Sequence, residues 1–210
     1  MKLYLIGGLG ADHRVFEYLK LEVPTYIIKW NKPHKKEPIV KYAERLIVQI
    51  DTSEKFAIAG VSFGGILAIE ISKIVIPQSL ILISSVIESS QLPRIYVSIG
   101  KLGVLKLVPN LFIKPPTFLS TYFFGAQNKK LLQQIINDTS PVFIRWALNK
   151  ILEWKSSSLL IPTLRIHGTN DKIIPLKGNA LQIKNGGHFM VVDRAKEISM
   201  LINNHFRSVK

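Results

Sequence analysis

The sequence has no cysteine among its 210 residues. Disulfides, zinc–thiolate sites and thiol nucleophiles are therefore excluded, and a reducing compartment is permitted but not required. Acidic residues are also scarce, because 14 Asp and Glu stand against 28 Lys and Arg and leave a formal charge of +14. Such a surplus suits an acidic partner, an anionic lipid surface or only a soluble basic surface, and composition alone does not choose between them.

A long uninterrupted apolar run is missing as well. The longest membrane candidate, residues 95–113, is interrupted by Lys101 and Lys106 and has a proline near its end, which makes it a poor spanning helix. The N-terminal apolar run leads into the charged residues 12–14 without a small-residue cleavage site, which favours a first strand over a signal peptide. We therefore expect a soluble, cytoplasmic protein without a transmembrane segment.

Short apolar runs alternate with amphipathic segments at both ends of the chain. Six of these runs are predicted as strands, at residues 3–6, 25–30, 56–59, 80–83, 163–167 and 180–183. Apolar spacings of three and four predict helices over residues 12–20, 38–50, 64–75 and 195–206. Strands that are apolar throughout and alternate with helices indicate an α/β protein with a doubly wound, mostly parallel sheet of about six strands.

Residues 87–160 break this alternation. They are predicted as several helices joined by turns that contain proline and glycine, and so as a helical cap inserted into the sheet domain. The domain itself is expected to comprise residues 1–86 and 161–210. Within the insertion, Ser140 precedes Pro141 where a helix can begin, and Ser140 is expected to cap that helix.

Residues 60–64 fit the pattern G-x-S-x-G, in which small residues allow a sharp turn from a strand into a helix. An apolar strand precedes the pattern and an apolar helix follows it, as the geometry of such a turn demands. The central residue, Ser62, then stands clear of the backbone at the top of the strand. We predict Ser62 as a nucleophile; an ordinary glycine-rich turn is the alternative.

A serine hydroxyl needs a base, which is most often a histidine oriented by a carboxylate. Among the five histidines, His188 follows two glycines just beyond the last predicted strand, at the edge where loops from the carboxyl ends of the strands gather. His167 ends a strand and precedes the segment G-T-N-D, so we interpret it as a turn-shaping residue. The other three lie in predicted helices or polar loops that give no reason to face Ser62.

Asp171 is the best candidate for the orienting acid, because it follows the strand at residues 163–167 by a short loop and projects from the same edge. Asp193 lies near the start of the last helix, where an acid favours the helix dipole, so a capping or first-turn role is expected for it. Ser62, Asp171 and His188 also occur in the chain order that the strand–turn–helix serine motif predicts. Together they predict a Ser-His-Asp triad.

These segments give the sequence a resemblance to the α/β-hydrolase superfamily. The resemblance is carried by G-x-S-x-G at 60–64, by H-G-T-N-D at 167–171 with Pro175, and by G-G-H-F at 186–189. It implies an α/β-hydrolase fold that lacks the first two antiparallel strands of the family, since the chain opens almost at once with its first parallel strand. It also implies that residues 87–160 are the family's cap.

The resemblance further implies an oxyanion hole made of two backbone amides. One is the amide of Phe63, directly after the nucleophile, and the other is that of Leu9, in the loop after the first strand. Each donor of this kind stabilises the charge of a tetrahedral intermediate by roughly 3 kcal/mol. The pair before Leu9 is Gly-Gly, where the family often has His-Gly. Neither a metal nor an organic cofactor is called for.

We therefore expect a serine hydrolase that cleaves a small or medium carboxylic ester or thioester through an acyl-enzyme intermediate. Two alternatives stay open. The same triad could serve C–C bond hydrolysis, acyl transfer or perhydrolysis, and a non-catalytic member of the fold could use its basic surface for binding. Residues 87–160 carry nine Lys and Arg against three Asp and Glu, so an anionic small-molecule substrate is favoured.

Three aromatic residues of the insertion, Phe123, Phe124 and Trp146, are predicted to line an apolar pocket over Ser62, with burial in the core of the cap as the alternative for each. The cations of residues 29–36 surround an aromatic residue, yet no recognition helix or RNA-binding motif accompanies them. No nucleic-acid partner is therefore expected. The sequence does not predict an oligomeric state.

Overall fold

The structure is a computed structural model that describes residues 1–96, 98, 108–109, 113–156 and 161–208. Across these ranges the strands form one sheet in which every neighbouring pair is parallel, in the order β2-β1-β3-β4-β5-β6. The strands are β1 Lys2–Ile6, β2 Thr25–Ile27, β3 Phe56–Val61, β4 Ser79–Ile83, β5 Thr163–Gly168 and β6 Leu181–Ile183. The predicted parallel sheet of about six strands is confirmed.

The helices with described bounds are α1 Ile39–Ile47, α2 Phe63–Ser72, α3 Thr117–Phe124, α4 Lys129–Asp138, α5 Pro141–Glu153, α6 Met190–Asp193 and α7 Ala195–Ser208. Within the described residues, none of the helices has the length and apolar character needed to cross a bilayer. Most of the membrane candidate at residues 95–113 lies outside the described residues.

Two local predictions about helices are corrected. Residues 12–20 do not form an α-helix: they contain only the 3₁₀ turn His13–Val15. The Asp12 carboxylate accepts from the Arg14 amide at 3.0 Å and pairs with its guanidinium, which favours a tight turn over a continuing helix. Helix α5 begins at Pro141 as expected, but the Ser140 side chain makes no capping hydrogen bond.

The sheet is covered on both faces, which explains why its central strands are apolar throughout. Every residue of β3 and β4 is buried. Helices α1 and α2 pack on one face, and α7 packs on the other with Ile198 and Ile202. Two of the helices after β4 pack against these clusters, because α5 adds Phe143 to the first cluster and α4 adds Leu131 and Ile135 to the second.

The connection between β5 and β6 is an extended loop rather than a crossover helix, and it contains Pro175 and Gly178, which disfavour a helix. Arg165, buried on β5, supports it by donating to the carbonyls of Lys177 at 3.1 Å and Asn179 at 2.9 Å. The residue between these two carbonyls, Gly178, has φ +70, a left-handed conformation that favours glycine. A buried guanidinium thus holds the loop that connects these two strands.

Candidate active site

Ser62 forms a sharp turn between β3 and α2. Its φ of 53 and ψ of −118 lie in a region that side-chain-bearing residues seldom adopt. The turn depends on close backbone packing, because a Cβ atom on Gly60 would lie 2.3 Å from the Gly64 carbonyl oxygen. A Cβ atom on Gly64 would lie 2.2 Å from the Gly7 carbonyl oxygen. Only glycine fits at these two positions of the G-x-S-x-G segment.

The backbone of Ser62 is held by hydrogen bonds on both sides. Its amide donates to the carbonyl of Ile83, the last residue of β4, at 2.9 Å. Its carbonyl accepts from the Gly65 amide at 2.9 Å and from the Ser85 hydroxyl at 2.8 Å. Helix α2 is buried along its whole length. The half-buried side chain is thus presented at the carboxyl edge of the sheet by a fixed backbone.

The structure brings Ser62, His188 and Asp171 together in one chain of hydrogen bonds. The distance from Ser62 Oγ to His188 Nε2 is 2.8 Å, and that from His188 Nδ1 to Asp171 Oδ2 is also 2.8 Å. Because an ionised carboxylate only accepts, Nδ1 carries the proton. Nε2 then offers its lone pair, to which the Ser62 hydroxyl donates. This is the protonation pattern that a histidine base requires.

The Asp171 carboxylate is buried and fully hydrogen-bonded. Its Oδ1 accepts from the amides of Ile173 at 3.0 Å and Ile174 at 2.8 Å. Burial by itself raises the pKa of the Asp171 carboxyl, but the charge of His188 and the hydrogen bonds from His167, His188 and Ile174 together lower this pKa below its ordinary range. Asp171 is therefore ionised at neutral pH and can hold a positively charged imidazole.

His167 contacts the loop after β5, as its interpretation as a turn-shaping residue expected, but it also lies against Asp171. Its side chain is buried, and Nε2 lies 2.7 Å from the Ile174 carbonyl oxygen and 3.3 Å from Asp171 Oδ2. His167 therefore meets the same carboxylate oxygen as His188. The spacing of four residues between His167 and Asp171 was visible in the sequence. It could not show that the loop folds Asp171 back over the end of its own strand.

The two imidazoles around Asp171 do not amount to a metal site. His167 Nε2 carries a proton because it donates to the Ile174 carbonyl, and His188 Nδ1 carries one because it donates to Asp171. A protonated ring nitrogen has no lone pair to give to a metal. The part of the chain that the structure describes contains no cluster of three or more acidic or histidine residues that could hold a metal ion.

The loops that follow β5 and β6 are fixed to each other through their backbones. A Cβ atom on Gly168 would lie 2.2 Å from the Gly186 carbonyl oxygen, so the backbones of the two loops are in direct contact. The amides of Thr169 and Asn170 donate to the carbonyls of Ile183 and Gly186 at 3.0 and 2.9 Å. The acid and the histidine therefore stand on one rigid pair of loops.

The loop after β1 lies beside the serine, because β1 neighbours β3 in the sheet. A Cβ atom on Gly8 would be 3.4 Å from the Cβ of Ser62. The loop is closed by the Ala11 amide, which donates to the Gly8 carbonyl at 2.9 Å. In the described chain, the amides of Leu9 and Phe63 take no part in the hydrogen bonds that close these turns. Both amides remain available at this edge.

The three predicted pocket residues occupy different environments. The Phe124 ring stands edge-on to the His188 imidazole, with 5.4 Å between ring centroids. Phe123 faces outward and is 44% exposed. Trp146 is buried in the hydrophobic core, where its ring lies 5.9 Å from that of Phe63. Of these three, Phe124 is the one placed beside His188, and Trp146 occupies the core that was its alternative.

Helices α3 and α4 are attached to the histidine loop by polar contacts. The Phe189 amide donates to the Phe124 carbonyl at 3.0 Å. Asp193 ends α6 and accepts from the amides of Gln127 at 2.8 Å and Asn128 at 3.0 Å. The expected capping or first-turn role of Asp193 in the last helix is therefore corrected: its carboxylate binds the turn before α4. Sequence spacing gave no sign of this contact between distant segments.

Comparison with known proteins finds similarity in structure but none in sequence. No protein-family model matches the chain, and no curated protein matches it by sequence. Solved structures match it almost end to end. A thermophilic esterase from Thermogutta terrifontis aligns with a TM-score of 0.68 at 16% identity, over 100% of this chain and 90% of the esterase.

Two further structures agree. A lipase-esterase related protein from Clostridium acetobutylicum ATCC 824 aligns with a TM-score of 0.70 at 14% identity, over 97% of this chain and 93% of its own. MenH from S. aureus aligns with a TM-score of 0.69 at 18% identity, over 100% and 94% of the two chains. The chain has the α/β-hydrolase fold. In this α/β-hydrolase fold, the central strand β3 leads into Ser62, as the resemblance in sequence implied.

Proposed function

We propose that this α/β-hydrolase is a serine hydrolase that cleaves a small or medium carboxylic ester or thioester through an acyl-enzyme intermediate. One observation carries the proposal: the unbroken chain from Ser62 Oγ through His188 to Asp171, with 2.8 Å at each hydrogen bond. The serine also occupies a strained strand-to-helix turn that exposes its hydroxyl. The esterase among the similar structures supports the same reaction class.

In the proposed reaction, Ser62 Oγ attacks the carbonyl carbon of the substrate while His188 Nε2 takes the hydroxyl proton. Asp171 stabilises the imidazolium that forms. Collapse of the tetrahedral intermediate breaks the bond to the alcohol or thiol, which leaves with the proton from His188. A water molecule then repeats the sequence on the acyl-serine and releases the acid, which restores the free hydroxyl.

We assign the oxyanion hole to the amides of Phe63 and Leu9. Phe63 opens α2 directly after the nucleophile, and the loop that carries Leu9 passes beside Ser62. Two fixed N–H donors aimed at the developing oxyanion stabilise the transition state by about 3 kcal/mol each. On the opposite side, Phe124 stands next to His188 and is our candidate for contact with the substrate. We do not extend this role to Trp146, which is buried behind Phe63.

Labelling with a fluorophosphonate tests the nucleophile. The wild-type protein should gain one adduct by intact mass, located on Ser62 by peptide mapping, and Ser62→Ala should gain none. Ser85→Ala is the matched control, because Ser85 is the neighbouring hydroxyl and donates to the Ser62 carbonyl without facing His188. It should still be labelled. An adduct on another residue, or an unlabelled wild type, contradicts the proposal.

A panel of p-nitrophenyl esters and thioesters of graded chain length then tests the reaction. Wild type should turn over at least one member of the panel, and Ser62→Ala should lose about six orders of magnitude in kcat, since only binding and the oxyanion donors remain. Labelling of Ser62 without turnover of any ester would instead favour the other chemistries that the same triad can serve. Absence of both would favour a binding protein.

A further inference from the structure

His167 is a buried, polar residue that the proposed reaction does not use. We propose that it is a positioning residue, which fixes the Asp171 carboxylate in the orientation that His188 needs. The proposal rests on the proposed function in one respect: His188 must be the base whose orientation matters. The proposal is argued from the hydrogen bonds around the Asp171 carboxylate. The neighbouring residues Tyr96 and Arg165 help to separate a positioning role of His167 from simple packing.

The first observation is the direction of the His167 hydrogen bond. Its Nε2 lies 2.7 Å from the Ile174 carbonyl oxygen, which only accepts, so Nε2 carries the proton. The same nitrogen lies 3.3 Å from Asp171 Oδ2. One N–H group therefore faces both a carbonyl and the oxygen that holds His188. A hydrophobic residue of similar size would fill the space and lose both contacts.

The second observation is that these contacts close a ring. The Ile174 amide donates to Asp171 Oδ1 at 2.8 Å, while the Ile174 carbonyl accepts from His167. His167 in turn faces Oδ2 of the same carboxylate. Each carboxylate oxygen is thus approached from a fixed direction. Rotation of the carboxylate about its Cβ–Cγ bond would break the ring, so the plane of Asp171 toward His188 is defined.

The amides of Ile173 and Ile174 hold Asp171 Oδ1, whereas His167 is the group that approaches Oδ2 besides His188. Tyr96 donates its hydroxyl to the Ile173 carbonyl at 2.7 Å and does not reach the carboxylate. Arg165, two residues earlier on the same face of β5, binds the carbonyls of Lys177 and Asn179 further along the loop. Arg165 therefore supports the loop without touching Asp171. The pair of Arg165 and His167 provides an internal control: both anchor one loop, and only His167 meets the catalytic acid.

The experiment compares three variants. His167→Leu removes the N–H group at similar size, and His167→Gln keeps an N–H donor. Arg165→Met removes the other anchor of the loop. The readout is the second-order rate of fluorophosphonate labelling from about pH 5 to pH 9, a range that spans the ordinary titration of histidine. A second readout, independent of reactivity, is the downfield proton resonance of the Nδ1–H group that His188 shares with Asp171.

We expect His167→Leu to lower the plateau labelling rate by about tenfold to a hundredfold, as misplacement of a catalytic group does. The midpoint of its pH profile should rise, because a carboxylate relieved of a donor holds the imidazolium more strongly. The Nδ1–H resonance should shift or broaden. His167→Gln should recover most of the rate and the wild-type midpoint. Arg165→Met should lower thermal stability and leave the midpoint and the resonance unchanged.

The proposal is overturned if His167→Leu keeps the wild-type plateau, midpoint and resonance. It is equally overturned if Arg165→Met produces the same shifts, because loosening of the loop would then explain both variants. Failure of the proposed function looks different: the wild type itself would not be labelled. The Nδ1–H resonance would still show in that case whether His167 positions Asp171.

Discussion

The turn at the proposed nucleophile Ser62, here called the nucleophile turn, and the loop that carries Asp171, here called the acid loop, are held by different means. At Ser62 the fit is made by backbone against backbone, and the glycines leave no room for side chains. The acid loop, residues 169–180, begins with backbone hydrogen bonds to the loop after β6. Beyond that point it is held by polar side chains that reach it from elsewhere, including Arg165, His167 and Tyr96. The turn therefore depends on glycines that have no side chain, whereas the loop depends on hydrogen-bond donors that lie outside it. Each region should therefore fail in its own way.

The largest expected effect breaks the chemistry of the acid loop. Asp171→Asn should lower kcat toward an activated ester by about four orders of magnitude, because the amide favours the wrong tautomer of His188. The fold should persist, as judged by circular dichroism. Asp193→Asn is the control, since Asp193 binds the amides before α4 and does not touch His188. If Asp193→Asn proved as damaging as Asp171→Asn, the assignment of the acid would have to be redrawn.

The next effect breaks the nucleophile turn by steric overlap. Gly64→Ala places a methyl group 2.2 Å from the Gly7 carbonyl oxygen and 2.3 Å from that of Ile6, both of which are backbone atoms. We expect the free energy of unfolding to fall by about 3 kcal/mol or more in urea titrations. Gly8→Ala is the matched control, because its methyl group meets only an ordinary contact at 3.4 Å. Equal stability of the two variants would show that the packing is not restrictive.

A smaller effect tests the polar support of the acid loop. Arg165→Met should lower the free energy of unfolding by about 2 kcal/mol, because the carbonyls of Lys177 and Asn179 lose a buried donor. Amide hydrogen exchange should quicken across residues 169–180. Arg194→Met is the control, since Arg194 pairs with Glu197 at the surface and such pairs contribute little. An equal loss of stability in both variants would contradict the role of Arg165 in supporting the acid loop.

The smallest effect concerns the opposite edge of the sheet, which serves as a reference for both regions. Burial lowers the pKa of His205, whose Nε2 lies 2.7 Å from Ser79 Oγ at the start of β4. A histidine whose pKa falls on folding contributes stability above its unfolded value of about 6.5 and loses it as the pH falls through the folded value. Unfolding titrations at pH 7 and pH 5 should show a slightly smaller loss for His205→Asn than for wild type. If the free energy of unfolding fell as much in the variant as in wild type, its pH dependence would have to come from other groups.

The same contrast explains which features could be predicted from the sequence. The turn at Ser62 is a local pattern of glycines between two apolar segments. The parallel sheet follows from the alternation of apolar strands with amphipathic helices. Both features could therefore be predicted from the sequence. Asp171 and His188 could be assigned to the same edge because each follows a strand. Their distances to one another depend on how two loops pack, which no spacing records.

The contacts that the sequence did not show depend on how the chain folds back on itself. His167 binds a carbonyl beyond a loop that folds back, and Asp193 binds amides more than sixty residues away in sequence. Trp146 was predicted to line a pocket, with burial in the core as the alternative, and it is buried beside Phe63. In each case the decisive partner is a backbone group or a ring whose position depends on the assembled fold.

The backbone contact between Gly187 and helix α3 restricts how this protein could be re-engineered. A Cβ atom on Gly187 would lie 2.7 Å from the Phe124 carbonyl oxygen and 2.9 Å from the Gly125 Cα. The end of α3 and the loop that carries His188 are therefore in close backbone contact, so neither can be exchanged without regard to the other. A replacement for α3 would need a glycine at position 125 to pass beside Gly187, because a larger residue there would displace the loop that carries His188. Exchanges within α3 that stop short of Phe124 leave this backbone contact intact.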